Sequence, residues 1–260
     1  MDGGGGQGDF GGTTCRYGAS SVDVRGPATP LETPYGVVLG GCLVYGRWSE
    51  AEPFAARLAA RTGRRIVNLG VRNAGPDVFV RDEGLLAVAA GAELAVIQTL
   101  GAHGLSNRFY TVHPRRNDRF LRQSDSLAAL YPDVDFSDFA FVRHLLHALR
   151  ARCPDRFEEV AEELRLAWVA RMRQLTSAIA GRRILLDLRS TPDRGLGADP
   201  FLVTGDMIGL LRETVDDVVT VEVSASAQGG ADPSTLWGDV HEAISAALAA
   251  VVGRRDGLAA

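Results

Sequence analysis

Tyr35-Gly36-Val37-Val38-Leu39-Gly40-Gly41-Cys42-Leu43-Val44-Tyr45-Gly46 is the stretch that decides the fold. Residues 35–39 are a short apolar run, read as a strand. Gly40, Gly41 and Gly46 follow at once, so the chain leaves the strand through a small-residue turn that presents Cys42 at the strand's carboxyl end. The same alternation recurs downstream. Residues 50–62 are predicted as helix: Ser49 and Glu52 have capping-box spacing, Phe54 and Leu58 share a face, and Gly63 ends it. Residues 65–69, 94–100, 183–188 and 218–223 read as four more strands, and about 239–252 as the last helix. Strands separated by helices imply a parallel sheet covered on both faces. The predicted class is therefore α/β, a three-layer α/β/α fold around a five-stranded parallel sheet in flavodoxin-like order. Ligands of such sheets sit beyond the carboxyl ends of the strands, so the loops after strands one, two, three and five are where chemistry is sought.

Between the third and fourth strands lies a helical insertion, about 102–181. It carries an arginine-rich loop at 113–122, a helix around 136–150 and an amphipathic helix at 155–180. In the last of these Phe157, Val160, Leu164, Trp168, Met172, Leu175 and Ile179 recur at three- and four-residue steps. Residues 15–33 are turn-rich, with Gly18, Gly26, Pro27 and Pro30. The glycine-rich residues 1–12 read as a flexible tail, 13–253 as one domain and 254–260 as a second tail.

The 260 residues are 46% hydrophobic and 23% charged, enough to bury a real core, and the net charge is −4. Nothing is broadly basic, which argues against nucleic acid as a partner. All 28 basic residues are arginine, so Schiff-base and P-loop lysine chemistry are excluded, and no cofactor is expected. Three cysteines, Cys15, Cys42 and Cys153, form no C-x-x-C pair, so no metal site is expected and a cytoplasmic setting fits. No apolar run reaches about 18 residues, and no membrane association is expected.

Four segments could carry chemistry. In Gly40–Gly46, Cys42 is a candidate nucleophile or a small buried cysteine packing under the loop. In Asn68–Asp77, the Gly70 N–H is a candidate oxyanion donor or part of a plain turn. In Gly101–Arg108, His103 and Asn107 are candidate donors to developing negative charge or simply turn polarity. In Trp237–Glu242, Asp239 and Glu242 have capping-box spacing, which places His241 in the first helical turn. There it is either a base kept neutral by the helix's positive end or a packed histidine on the face of Ile244 and Leu248. Separately, Arg108, Arg115, Arg116 and Arg119 could hold a carboxylate, phosphate or sulfate, or form a salt-bridged loop with Asp118 and Asp125.

The order of these segments resembles the SGNH (GDSL-type) hydrolases. Gly40–Gly46 has the frame of that family's Gly-Asp-Ser-Leu-x-x-Gly block, with Gly41 at the Asp place and Cys42 at the serine place. Gly70 resembles the family's backbone donor. His103 stands at the asparagine of Gly-x-Asn-Asp, with Asn107 nearby. His241 looks like the histidine of Asp-x-x-His, with Gly238 at the Asp place and Asp239 displaced by one. The stretches Arg25–Pro27, Asn73–Arg81 and Ser106–Phe120 also resemble a bacterial domain family of unknown function. The SGNH resemblance implies a hydrolase or acyltransferase acting on an ester, acylated sugars included. Cys42 would attack, His241 take the proton, Asp239 orient the ring, and Gly70 with His103 or Asn107 hold the oxyanion. The departures at serine, Asp and Asn motivate the alternative, a catalytically inactive domain in which the arginines bind an anionic glycan or metabolite. A sulfate or phosphate transferase using the same arginines ranks third.

Overall fold

The strands predicted above form one sheet, because each is an apolar run bounded by glycine or polar residues. In the computed structural model, which describes residues 13–32, 34–46, 52–190, 200–223 and 233–256, the elements run in this order. A short ribbon, β1 (Thr14–Cys15) and β2 (Val24–Arg25), precedes β3 (Gly36–Gly40), α1 (Cys42–Tyr45), α2 (Phe54–Thr62) and β4 (Ile66–Gly70). Then come α3 (Pro76–Arg81), α4 (Glu83–Ala90), β5 (Leu94–Gln98), the hairpin β6 (Tyr110–His113) and β7 (Arg116–Gln123), and α5 (Asp125–Leu130). The chain ends with α6 (Val142–Arg152), α7 (Pro154–Ser177), β8 (Arg182–Ser190), α8 (Gly205–Gly209), β9 (Asp217–Val223) and α9 (Pro233–Asp256).

The sheet has five strands in the order β4-β3-β5-β8-β9, all parallel. This is the flavodoxin-like order, with the connection reversing direction between β3 and β5. Side chains alternate between two apolar layers, as strand geometry requires. Val37, Leu39, Val67, Leu69, Ala95 and Ile97 face the larger layer, with side chains of α3, α4, α6 and α7. Val38, Ile66, Leu94, Val96, Ile184 and Leu186 face the smaller one, closed by Phe54, Leu58, Ile244 and Leu248 of α2 and α9. The long α7 buries Phe157, Val160, Leu164, Trp168, Met172 and Leu175. Its fully buried Trp168 donates Nε1–H to the Leu100 carbonyl at 2.7 Å, anchoring the loop that leaves β5.

Several boundaries differ from expectation. Helix α2 starts at Phe54, not residue 50, with Pro53 as an N-cap residue that has no polar side chain to cap it. Ser49 lies outside the described residues, as do residues 1–12 and 257–260 of the expected tails. Helix α9 runs to Asp256, so residues 254–256 continue it. The arginine-rich stretch is a hairpin rather than a loop: β6 and β7 pair antiparallel, with register shifts on either side of Val112. Residues 136–150 divide into a single 3-10 turn, Phe136–Asp138, and α6. Among the described residues, no helix is long and apolar enough to cross a membrane.

Candidate functional site

The reversal between β3 and β5 brings three loops together at the carboxyl ends of the strands. Their approach is set by glycines. A Cβ on Gly70 would stand 2.3 Å from the Tyr45 nitrogen, so α1 rests directly on the end of β4. A Cβ on Gly75 would stand 1.8 Å from the Gly104 carbonyl oxygen, so the loops after β4 and β5 cross in contact. Across the first loop, Gly41 N–H donates to Gln98 Oε1 at 3.0 Å.

Two buried polar side chains fix the crossing. Asp77, at the start of α3, accepts from Ser106 N–H at 2.9 Å and pairs with Arg171 of α7 at 2.8 Å and Arg81 at 3.1 Å. Asn117 of β7 is fully buried. Its Oδ1 accepts from Gly75 N–H at 2.9 Å and Val78 N–H at 3.1 Å, and its Nδ2 donates to the carbonyls of His113 at 3.0 Å and Pro114 at 3.4 Å. One amide thus ties the hairpin tip to the loop after β4 and supplies α3 with acceptors for its first-turn N–H groups.

Cys42 lies where expected, half-buried in the cleft at the end of β3. Its thiol donates to Asn73 Oδ1 at 3.3 Å and accepts from Asn73 N–H at 3.2 Å. The expected partnership with His241 is not formed. His241 is fully buried between α2 and α9, where its Nδ1 accepts the Phe54 N–H at 3.2 Å and its ring stacks on Phe54 at 6.0 Å. Its Nε2 has no hydrogen-bond partner among the described residues. Because α9 begins at Pro233, His241 lies in the third turn rather than the first, and Asp239 is an exposed mid-helix residue, not an N-cap. Residues two apart on a helix do not face each other, so Asp239 does not orient the ring. Glu242, read as the capping-box acid, instead pairs with Arg57 at 2.8 Å and with Arg61. Burial, and next the charges of Arg57 and Arg25, pull the imidazole pKa down to about 4.

Two of the three expected oxyanion donors, Gly70 and Asn107, are committed elsewhere, and the third, His103, is turned away. Gly70 N–H donates to Asn68 Oδ1 at 2.8 Å. Asn107 Oδ1 accepts from the Phe109 and Tyr110 N–H groups at 2.8 and 3.3 Å, and its Nδ2 donates to the Leu105 carbonyl at 3.0 Å, which makes it the pin of its own turn. His103 folds back over Gly101 and meets Phe201 edge-on at 5.5 Å. Its Nδ1 is buried with no partner among the described residues, and desolvation, with Arg143 adding to it, lowers its pKa to about 3.

The four predicted arginines divide. Arg108 is held by Glu159 at 3.4 Å and Glu163 at 3.6 Å of α7, Arg119 stacks over Phe141 at 4.0 Å, and neither lines the cavity that the other two share. Arg115 and Arg116 line a solvent-open cavity of about 650 Å³ with Arg16, Arg72, His113 and Asn73. Four arginines face it against one carboxylate, Asp23, which pairs with Arg16 at 2.6 Å. The Arg16 hydrogen bond and charge, then Arg72 and Arg115, hold the Asp23 carboxyl below its ordinary range. Arg116 is also 3.5 Å from Asp118. In a chain of net charge −4 this is a local concentration of positive charge, built from three separate segments. Guanidinium forks converging in this way suit a carboxylate, phosphate or sulfate.

Sequence reading did not assign roles to Asn73, Arg72, Arg16 or Asn117. Of these, Arg72, Asn73 and Asn117 lay in stretches already singled out, and nothing local marks an asparagine as a buried clamp. A family model described as a domain of unknown function, DUF6473, matches residues 3–255 and includes Arg25–Pro27, Asn73–Arg81 and Ser106–Phe120. No curated protein matches the chain. Among solved structures, the lipase Lip_vut3 from a goat rumen metagenome matches with 12% identity and a TM-score of 0.43, over 84% of this chain and 97% of that one.

Proposed function

The chain belongs to the DUF6473 family, and from its site we propose that it binds a small anionic molecule at the carboxyl edge of the sheet. The observation that carries this reading is the cavity lined by Arg16, Arg72, Arg115 and Arg116 at the mouth of the strand-end cleft. The anion is a small carboxylate, phosphate or sulfate, or a glycan or metabolite bearing one. Exposed arginines act through charge, so the affinity falls as salt rises. Calorimetry with inorganic phosphate and sulfate at low salt tests this. The Arg115→Ala/Arg116→Ala variant is expected to bind about tenfold more weakly or worse, a loss of roughly 1.4 kcal/mol. Unchanged affinity in that variant overturns the reading.

Ester hydrolysis or acyl transfer, the reaction of the SGNH resemblance, is supported by the sheet order and by the place of Cys42 at the switch point. The neighbours of the thiol do not support it. Cys42 pairs with Asn73, and an amide is not a base. The expected result with short acyl esters is the same low rate for the native chain, Cys42→Ala and His241→Ala. Turnover that disappears in Cys42→Ala would return the domain to the hydrolases.

A further inference from the structure

The arginine cavity has a neighbour. A second cavity of about 280 Å³ lies along the strand ends, lined by Cys42, Leu43, Leu100, Leu188 and Trp237 among others. It is mainly apolar where the first is cationic, and Asn73 lines both. Because Asn73 lines both, the two spaces adjoin, and one small molecule can reach from the larger into the smaller.

The shared wall is built to face both ways. Asn73 has φ 56°, in the left-handed region that asparagine tolerates better than most residues. That conformation turns its N–H and Oδ1 onto the Cys42 thiol. The side-chain Nδ2 makes no hydrogen bond among the described residues, so it remains a donor at the junction. Cys42 is thereby engaged with Asn73 as part of the wall.

We infer that the ligand is an anionic amphiphile, a small molecule that joins a phosphate, sulfate or carboxylate to an apolar group. This rests on the anion-binding reading above. The charged end lies among Arg72, Arg115 and Arg116, and Asn73 Nδ2 donates to a polar atom at the junction. The apolar group covers Leu43, Leu100 and Trp237, which a free inorganic anion does not do.

Calorimetry on the full chain with inorganic phosphate and the ethyl, butyl and hexyl monophosphates tests the inference. Affinity is expected to rise about fourfold per methylene until the smaller compartment is filled. Ala74→Leu, which fills that compartment from its rim, is expected to remove the chain-length dependence while inorganic phosphate binds as before. Trp237→Ala is expected to weaken the dependence and Trp237→Phe to preserve it. Phosphate binding with a flat series overturns the amphiphile and leaves the anion site standing. No binding by any member overturns both. A chain-length dependence that survives both Ala74→Leu and Trp237→Ala puts the apolar group elsewhere and also overturns the inference.

Discussion

Replacing Asn117 with alanine is expected to lower stability by about 4 kcal/mol and to abolish anion binding with it. The side chain is fully buried and makes four hydrogen bonds, all to backbone groups. Its removal leaves two N–H groups at the start of α3 and two carbonyls at the hairpin tip without partners. Each buried orphan costs about 1–3 kcal/mol, and local relaxation recovers part of the total. For a chain of this size the melting temperature should fall by roughly 10 °C. The functional loss follows from position: Arg115 and Arg116 belong to the strand pair that Asn117 pins beside Asn73. The Arg115→Ala/Arg116→Ala variant separates the two effects, because those side chains are exposed and their removal should leave the melting temperature within a few degrees of native. A native melting temperature in Asn117→Ala would show that the clamp is dispensable.

The frame was legible in sequence because the physics that writes it is local. Val37-Val38-Leu39, Ile66-Val67, Leu94-Ala95-Val96-Ile97 and Ile184-Leu185-Leu186 are buried on both faces, and a continuous apolar run bounded by glycine has few other readings. Alternation of these strands with helices then fixes the class. The hairpin was hidden for the opposite reason. In β7, Arg-Asn-Asp-Arg-Phe-Leu-Arg-Gln, the inward residues are Asn117 and Phe120, and the shifts around Val112 break the two-residue period. A buried asparagine on a polar strand carries no apolar signal. The start of α9 was misplaced because Asp239 and Glu242 have capping-box spacing by coincidence, while the glutamate is drawn to Arg57 and Arg61 of α2.

The candidate site divides in the same way. That loops after β3, β4 and β5 meet could be read from the alternation of elements. What each side chain does there could not, because backbone amides compete for the same atoms. Asn107 Oδ1 takes two N–H groups within three residues of itself, and Gly70 N–H takes Asn68 Oδ1, two residues away. Such short-range partners form at little entropic cost and remove groups that a family frame would assign to chemistry. The arginines show the reverse case. Four of them were grouped by proximity in sequence, whereas the cavity takes two of those and adds Arg16 and Arg72 from distant segments.

Acid should loosen the contact between α2 and α9, at a cost of about 3 kcal/mol in full, and His241 is the reason. The N-cap residue of α2, Pro53, has no side-chain acceptor, and the His241 Nδ1 accepts the Phe54 N–H in its place. An imidazolium has only donors, so protonation sets Nδ1–H against N–H at the positive end of a helix, with Arg57 and Arg25 nearby. The folded-state pKa is about 4, against about 6.5 for a free histidine. Between those values the unfolded chain binds the proton and the folded chain does not, so stability is complete above about pH 6.5 and is lost as pH falls toward 4. At about pH 5 the loss is roughly 2 kcal/mol. His103, with its pKa lowered to about 3, adds in the same direction. Urea unfolding at neutral and mildly acidic pH checks the slope. His241→Gln keeps an acceptor for Phe54 N–H but cannot take a proton, so it should remove the His241 share and leave that of His103. Native and His241→Gln chains losing stability equally between pH 7 and pH 5 would mean that the imidazole is not the acid-sensitive joint between the two helices.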